Sequence, residues 1–234
     1  MINNEQTFYV IATPIGNLED VTLRALRIMK EVDLILCEDT RVTRKLLSAY
    51  EIKTATMSYH AQSKIEKIEK IIEMIEEGKT IALVSDAGTP AISDPGSLLV
   101  SKIREQLPDL KIVAVPGANA AVAALSISGL PSSDFLFLGF LPHKKGRETL
   151  FKEVTASERT VVFYESPHRI LKTLESLKQH LGDTGRMVVV ARELTKIYEE
   201  IVRGSATEVL TYFEEHADKV RGEIVVLVGA SMLY

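Results

Sequence analysis

Cysteine occurs once in the 234 residues, at Cys37, and tryptophan is missing altogether. A single thiol excludes an intrachain disulfide framework and a multi-cysteine zinc site. The five histidines (His60, His143, His168, His180, His216) show no close metal-ligand spacing. No apolar run approaches the roughly 18 residues of a membrane helix. The opening Met1-Ile2-Asn3-Asn4-Glu5-Gln6 lacks the basic and apolar regions of a signal peptide. The expectation is a cytoplasmic protein with no metal and no membrane partner. Three nucleotide and hydrolase fingerprints are absent as well. The first turn reads Thr13-Pro14-Ile15-Gly16-Asn17-Leu18 rather than G-x-G-x-x-G, and neither a Walker A loop nor a G-x-S-x-G elbow occurs.

Excess positive charge is also lacking. The net charge of −4 argues against broad, non-specific nucleic-acid binding, which depends on neutralising phosphates. Local basic clusters remain at Arg41-Arg44-Lys45, Lys144-Lys145-Arg147 and His168-Arg169. Each alone reads as an ordinary solvated face; together they leave room for a specific RNA.

What is present is a regular alternation of strand and helix patterns. Phe8 to Ala12, Leu34 to Cys37, Thr54 to Ser58, Ile81 to Val84 and Lys111 to Val115 read as strands. Between them, Asp20 is positioned to cap a helix through Leu23, Leu26, Ile28 and Met29. Another helix runs through Leu46 and Leu47. Lys64 to Glu77 carries isoleucines at spacings of three and four and ends at Gly78. Such alternation implies a mostly parallel sheet covered by helices. Ser128 to Asp134 is the best linker. Beyond it, Phe135 to Leu138, Thr160 to Tyr164, Met187 to Ala191, Ile197 to Val202 and Ile224 to Val228 read as strands with fewer helices between them, which predicts a mixed sheet. The expected architecture is two α/β domains, 1–129 and 130–234, with a cleft between them.

The most telling stretch is Ser85-Asp86-Ala87-Gly88-Thr89-Pro90-Ala91-Ile92-Ser93-Asp94-Pro95-Gly96, set between a buried strand and the helix Ser97 to Gln106. Glycine opens backbone conformations closed to other residues and proline fixes φ, so the loop is rigid and offers its own amides. Loops at the carboxyl edge of an α/β sheet are where small ligands sit. Asp94 reads equally well as a cap for the following helix. Pro14-Ile15-Gly16 and Pro116-Gly117-Ala118 also fall where strands give way to helices. Loops of this kind can clamp a zwitterionic adenosyl ligand through backbone contacts.

Taken in order, Thr13 to Asp20, Cys37-Glu38-Asp39-Thr40-Arg41, Val84 to Gly96, Val115-Pro116-Gly117, Phe163-Tyr164-Glu165-Ser166-Pro167-His168-Arg169 and Ala191 to Lys196 resemble the ribosomal RNA small subunit methyltransferase I family of the tetrapyrrole (class III) methylases. The resemblance spans nearly the whole chain. It implies S-adenosylmethionine (SAM) in the interdomain cleft, methyl transfer to the ribose 2′-hydroxyl of a decoding-site cytidine in 16S rRNA of the small ribosomal subunit, and a homodimer. Position by position, it places SAM against Pro14, Ile15, Asp86, Ala87, Thr89, Asn119 and Ala120, with Tyr164, Glu165, Arg192 and Glu223 closing over the adenosine. Sequences of that family commonly continue past the last strand, whereas this chain stops at Tyr234, soon after Gly229. Weaker RNA holding or a shortened chain is the corresponding expectation.

The reaction needs alignment of oxygen, carbon and sulfur, exclusion of water, an acceptor for the hydroxyl proton and a cation for the developing alkoxide. Glu38, Asp39, Glu165, His60 and His168 are candidate acceptors, and Arg41, Arg169 and Arg192 candidate cations. From these, Glu38, Arg41, Glu165 and His168 are taken as catalytic. Phe140, Tyr59 and Tyr164 are candidates for stacking a base, and Lys144-Lys145-Gly146-Arg147 for a mobile RNA-contact loop. Cys37, on an apolar strand, reads as core. Two alternatives remain open: a methylase acting on a tetrapyrrole or a protein side chain, and a non-catalytic SAM-responsive RNA-binding module.

Overall fold

A computed structural model of the chain describes residues 6–60, 63, 65–142, 145–182 and 184–230. Lys64, His143 and Lys144, singled out above, lie outside the described residues. The chain divides into two compact units, Met1–Asn119 and Ala120–Tyr234. The division falls ahead of the boundary expected after Gly129, because the helix that ends just before Gly129 packs on strands of the second unit.

The first unit runs β1 (Thr7–Ile11), α1 (Leu23–Glu31), β2 (Leu34–Cys37), α2 (Thr40–Ala49), β3 (Ala55–Ser58), α3 (Ile65–Glu76), β4 (Ile81–Val84), α4 (Ser97–Gln106) and β5 (Lys111–Val115). Its strands pair in parallel in the order β3-β2-β4-β1-β5. The central strands β2 and β4 are apolar at every position because both sheet faces are covered there, while the edge strands β3 and β5 carry Thr56, Ser58 and Lys111. In β4, Ile81 and Leu83 join a cluster with Ile68, Ile71, Ile75, Leu99 and Ile103 from α3 and α4. Ala82 and Val84 point the other way, among Ala25, Ile28, Met29, Leu46 and Leu47 of α1 and α2. Side chains alternate across a strand, so one short run serves two cores. Cys37 is buried in the second of them, as expected.

Two capping assignments need correction. The N-cap of α1 is Thr22, whose Oγ1 accepts the Ala25 N–H at 3.1 Å. Asp20 instead belongs to a short 3-10 turn capped by Asn17. At α4 the N-cap is Gly96, at φ 134°, with no side-chain cap, so Asp94 is not a helix cap. A Cβ on Gly96 would fall 2.8 Å from Leu83 Cδ2, so the close packing of this loop on β4 requires glycine there.

The second unit runs α5 (Ala120–Ser128), β6 (Phe135–Phe140), α6 (Arg147–Ala156), β7 (Thr160–Glu165), α7 (Ile170–Leu181), β8 (Val188–Arg192), β9 (Glu200–Gly204), α8 (Ala206–Glu215) and β10 (Ile224–Val228). The sheet order is β6-β7-β10-β8-β9. It is mixed, as expected: β6 and β7 are parallel, while β10 runs antiparallel to β7 and β8, and β8 to β9. The expected shortage of helices is not found. Leu174, Leu177 and Leu181 of α7 and Val209, Leu210 and Phe213 of α8 lie at helical spacing and, with Phe151 and Val154 of α6, cover one face. Helix α5 packs on β7, β8 and β10. Ile197 does not start a strand either. It lies in the turn before β9, 95% exposed.

Candidate active site

The carboxyl ends of the first sheet gather most of the expected residues. Because β4, β1 and β5 are neighbours, the loops that leave them are adjacent, and specific bonds tie them together. Thr13 and Gly88 exchange backbone hydrogen bonds, with Thr13 N donating to Gly88 O at 2.9 Å and Gly88 N to Thr13 O at 3.1 Å. The buried Thr13 hydroxyl donates to Ser85 O at 3.1 Å, and the Thr89 hydroxyl to Ala118 O at 3.3 Å. Gly117 lies so close to β1 that a Cβ there would sit 2.9 Å from the Ala12 methyl. Pro14 and Ile15 are buried under this arrangement, Ala87 is exposed on it, Thr89 and Asn119 are half-buried, and Ala120 opens α5.

Beside these loops, Glu38, Asp39, Thr40, Arg41, Ser58, His60 and Asp86 line an open pocket of about 590 Å³. They come from the ends of β2, β3 and β4, brought side by side by the sheet order. Asp86 joins the pocket to the three-loop cluster. Its Oδ1 accepts the Asp39 N–H at 3.0 Å, at the first turn of α2, where a negative charge is favourable. Asp39 in turn holds Arg41, with Nη2 to Oδ2 at 2.6 Å. That hydrogen bond is the main reason the Asp39 carboxyl is lowered to about 2.

The acidic groups here influence one another. Burial first, and then the Asp86 charge, push Glu38 above the ordinary carboxylate range, with His60 opposing. Asp94, for which the sequence left a helix cap and a site role equally open, faces this cluster. Burial first, then Glu38 and, more weakly, Asp86 push it up to about 6, against a hydrogen bond with Ser85. The backbone that delivers it is unusual: Ala91 and Ser93 take φ of 69° and 62°, where side chains are disfavoured. Two aspartates in a turn-rich loop hinted at a role, but their separate partners are set by the fold. Ser58 also lines the pocket and carried no sequence signal, and Thr40, noted only as part of the Cys37 to Arg41 motif, does so too.

In the second unit the β-register brings Glu165, Arg192 and Glu223 to one end of the sheet, since Ile224 pairs with both Glu165 and Arg192. Glu165 is 2% exposed and receives Arg169 at 2.7 Å, Arg147 at 3.5 Å, the Thr173 hydroxyl at 2.6 Å and the Ser166 N–H at 2.7 Å. Its carboxylate is thus the hub of an internal network. Tyr164, just before it, is half-buried, and His168, just after, is exposed. Arg192 is 5% exposed and pairs with Glu200 at 3.3 Å. Glu223 receives Lys196 at 3.0 Å. Arg147 is drawn inward to Glu165, so it does not belong to an RNA-contact loop as expected. Tyr59, at 4% exposure, cannot stack a base either.

Among the described residues no group of His, Cys, Asp and Glu is arranged to hold a metal ion, and no helix is long and apolar enough to cross a membrane. The pocket and loops do fit SAM. Glu38, Asp39 and Asp86 outnumber Arg41 among the charged lining groups, which suits a ligand bearing sulfonium and ammonium cations. The tied Gly/Pro loops supply rigid backbone for its polar groups.

Comparison with known proteins identifies the family of the chain. Residues 7–210 match the model of the tetrapyrrole (corrin/porphyrin) methylases. A uroporphyrin-III C-methyl transferase from Thermus thermophilus, solved in complex with S-adenosyl homocysteine, shares the fold at a TM-score of 0.63 and 18% identity, over 96% of this chain and 97% of that one. Fold and site therefore define a SAM-dependent methylase of the class III type. Two relatives narrow this further. The ribosomal RNA small subunit methyltransferase I of Halalkalibacterium halodurans is 48% identical over 228 residues, covering 97% of this chain and 76% of that protein. The protein of the same name from Thermotoga maritima is 44% identical over 220 residues, covering 94% and 96%. The chain belongs to the ribosomal RNA small subunit methyltransferase I family.

Proposed function

We propose that this protein methylates the ribose 2′-hydroxyl of a cytidine in the decoding region of small-subunit ribosomal RNA, in the cytoplasm and as a homodimer. The observation that carries the reading is the convergence of Glu38, Arg41, His60 and Asp86 on one pocket, beside three mutually tied loops, in a chain nearly half identical to relatives named for that RNA.

SAM, when bound, supplies a methyl group on a sulfonium, an activated donor that leaves as a neutral thioether. Asp86 and the loops after β1, β4 and β5 would hold it, with its cations drawn to the acidic pocket, which would also admit the ribose hydroxyl. Glu38 would accept the proton that the ribose hydroxyl gives up when it takes the methyl group. Its raised pKa makes the ionised carboxylate a better base near neutral pH. Arg41, exposed at the rim and oriented by Asp39, offsets the negative charge that develops on the oxygen or on neighbouring phosphate.

The test is transfer of labelled methyl from SAM to small ribosomal subunits lacking the modification, followed by alkaline hydrolysis, which a 2′-O-methylated linkage resists. Label at a cytidine in a resistant dinucleotide supports the reading. Label on a base, or only on a tetrapyrrole precursor offered in parallel, refutes it. SAM binding with no methylated product would favour the binding-module alternative. Sedimentation at working concentration tests the dimer.

A further inference from the structure

Strands β6 and β7 run parallel in register from Phe135↔Thr160 to Phe137↔Val162, then shift so that Phe140 lies opposite Tyr164. Three residues on β6 thus span what two span on β7. The extra residue is accommodated around Gly139, at φ 61°. The bulge has a consequence for the side chains. In a regular strand, residues 137 and 140 would point to opposite faces. Here both flank Tyr164: the Phe137 ring lies 5.1 Å from it at 70°, and the Phe140 ring 5.3 Å at 60°. Phe140 is turned outward and remains 57% exposed.

The backbone just beyond is fixed from beneath. Arg169 Nη1 donates to Leu141 O at 2.8 Å and Arg147 Nη1 to Pro142 O at 3.3 Å. Both guanidiniums are anchored on the buried Glu165 carboxylate. The two loops that leave this end of the strand pair also carry Lys145 and His168, both exposed. Two acids on the adjoining elements are paired: Glu165 with the two arginines and Glu148 with His180 at 2.9 Å.

We infer that Phe140, braced edge-on by Tyr164, offers a preorganised stacking face for an unpaired nucleotide of the RNA substrate, with Lys145 in the loop that follows β6 for an adjoining phosphate. This rests on the RNA reading above and adds to it a specific surface in the second unit. An exposed ring braced at a bulge, with a lysine in the adjoining loop, suits a base that has left its helix: every base offers a π-face, and the phosphate brings the opposite charge. It also gives the Tyr-Glu-Ser-Pro-His-Arg segment a physical role, since Tyr164 supplies a ring and Glu165 and Arg169 hold the support under its neighbour.

The experiment compares wild type with Phe140→Ala and Phe140→Trp. Affinity for a short single-stranded RNA containing cytidine is measured by fluorescence anisotropy, and affinity for SAM by calorimetry. Thermal unfolding confirms that each variant is folded. The expected result is RNA binding weakened about tenfold in Phe140→Ala, restored in Phe140→Trp, with SAM affinity unchanged in both. Equal RNA affinity in all three proteins overturns the platform while leaving the RNA reading intact. Loss of SAM affinity in Phe140→Ala assigns the ring to the methyl donor and overturns it as well. A wild type that binds no RNA in this assay or on small subunits removes the platform and the RNA reading together.

Discussion

Asp94→Asn isolates the electrostatic frustration built into the carboxylate cluster. Its carboxyl is lifted from the ordinary 3.8 to about 6, first by burial and then by Glu38. In a dry site that gap would correspond to about 3 kcal/mol. Asp94 is only partly buried, and solvent screening brings the figure to about 1 kcal/mol. The sign follows from proton counting: between pH 4 and 6 the folded state binds more protons at Asp94 than the unfolded state. Stability therefore declines as pH rises through this window, and the loss persists above it. Asparagine cannot ionise, so the variant lacks the decline. Urea unfolding from about pH 4 to 8 should show the difference in stability, variant minus wild type, rising by about 1 kcal/mol across that window and then staying level. A constant offset from the altered Ser85 hydrogen bond would not matter, because only the slope is read. A difference that is flat with pH, or that falls, would show that burial and the Glu38 and Asp86 charges do not raise Asp94 as the geometry implies.

Other consequences can be checked alongside. Glu38→Gln should lower the methylation rate by about 10²–10⁴-fold while SAM affinity, read by calorimetry, holds; a rate near wild type would remove Glu38 as proton acceptor. Asp86→Ala should weaken SAM binding by about 1–3 kcal/mol, and unchanged affinity in a folded variant would take Asp86 out of the donor site. Glu165→Gln leaves Arg147 and Arg169 without their shared charge and should cost about 3 kcal/mol in urea unfolding. A loss below about 0.5 kcal/mol, typical of surface changes, would contradict its role as the hub of the second unit.

The strands of the first unit were legible because a strand buried on both faces must be apolar at every position, and Ile81 to Val84 is. Helix α3 was legible because isoleucines at three- and four-residue spacing leave one apolar face. Helix α5 was legible as a small-residue run, but α6 to α8 were not, although Leu174, Leu177 and Leu181 carry the same signal, because they alternate with strongly strand-like apolar runs. The caps were missed for a different reason. Aspartate, threonine and asparagine all favour the cap position, and choosing among Asn17, Asp20 and Thr22 requires the chain direction at each.

For the site, the sequence alone pointed to the loops: glycine and proline at the ends of apolar runs demand rigid turns at a sheet edge, and Asp86 sits on such a turn, whereas Glu38 and Arg41 follow β2 with neither residue beside them. Only the tertiary structure decided how those residues are used. Strand order β3-β2-β4-β1-β5 brings Ser58, Glu38 and Asp86 side by side, although they are distant along the chain. It also turned Asp94 from a cap into the neighbour of Glu38, buried Tyr59 and Arg147, and made Glu165 an internal anchor. Local chemistry fixes what a residue can do. The environment that sets its charge and its reach comes from parts of the chain it meets only on folding.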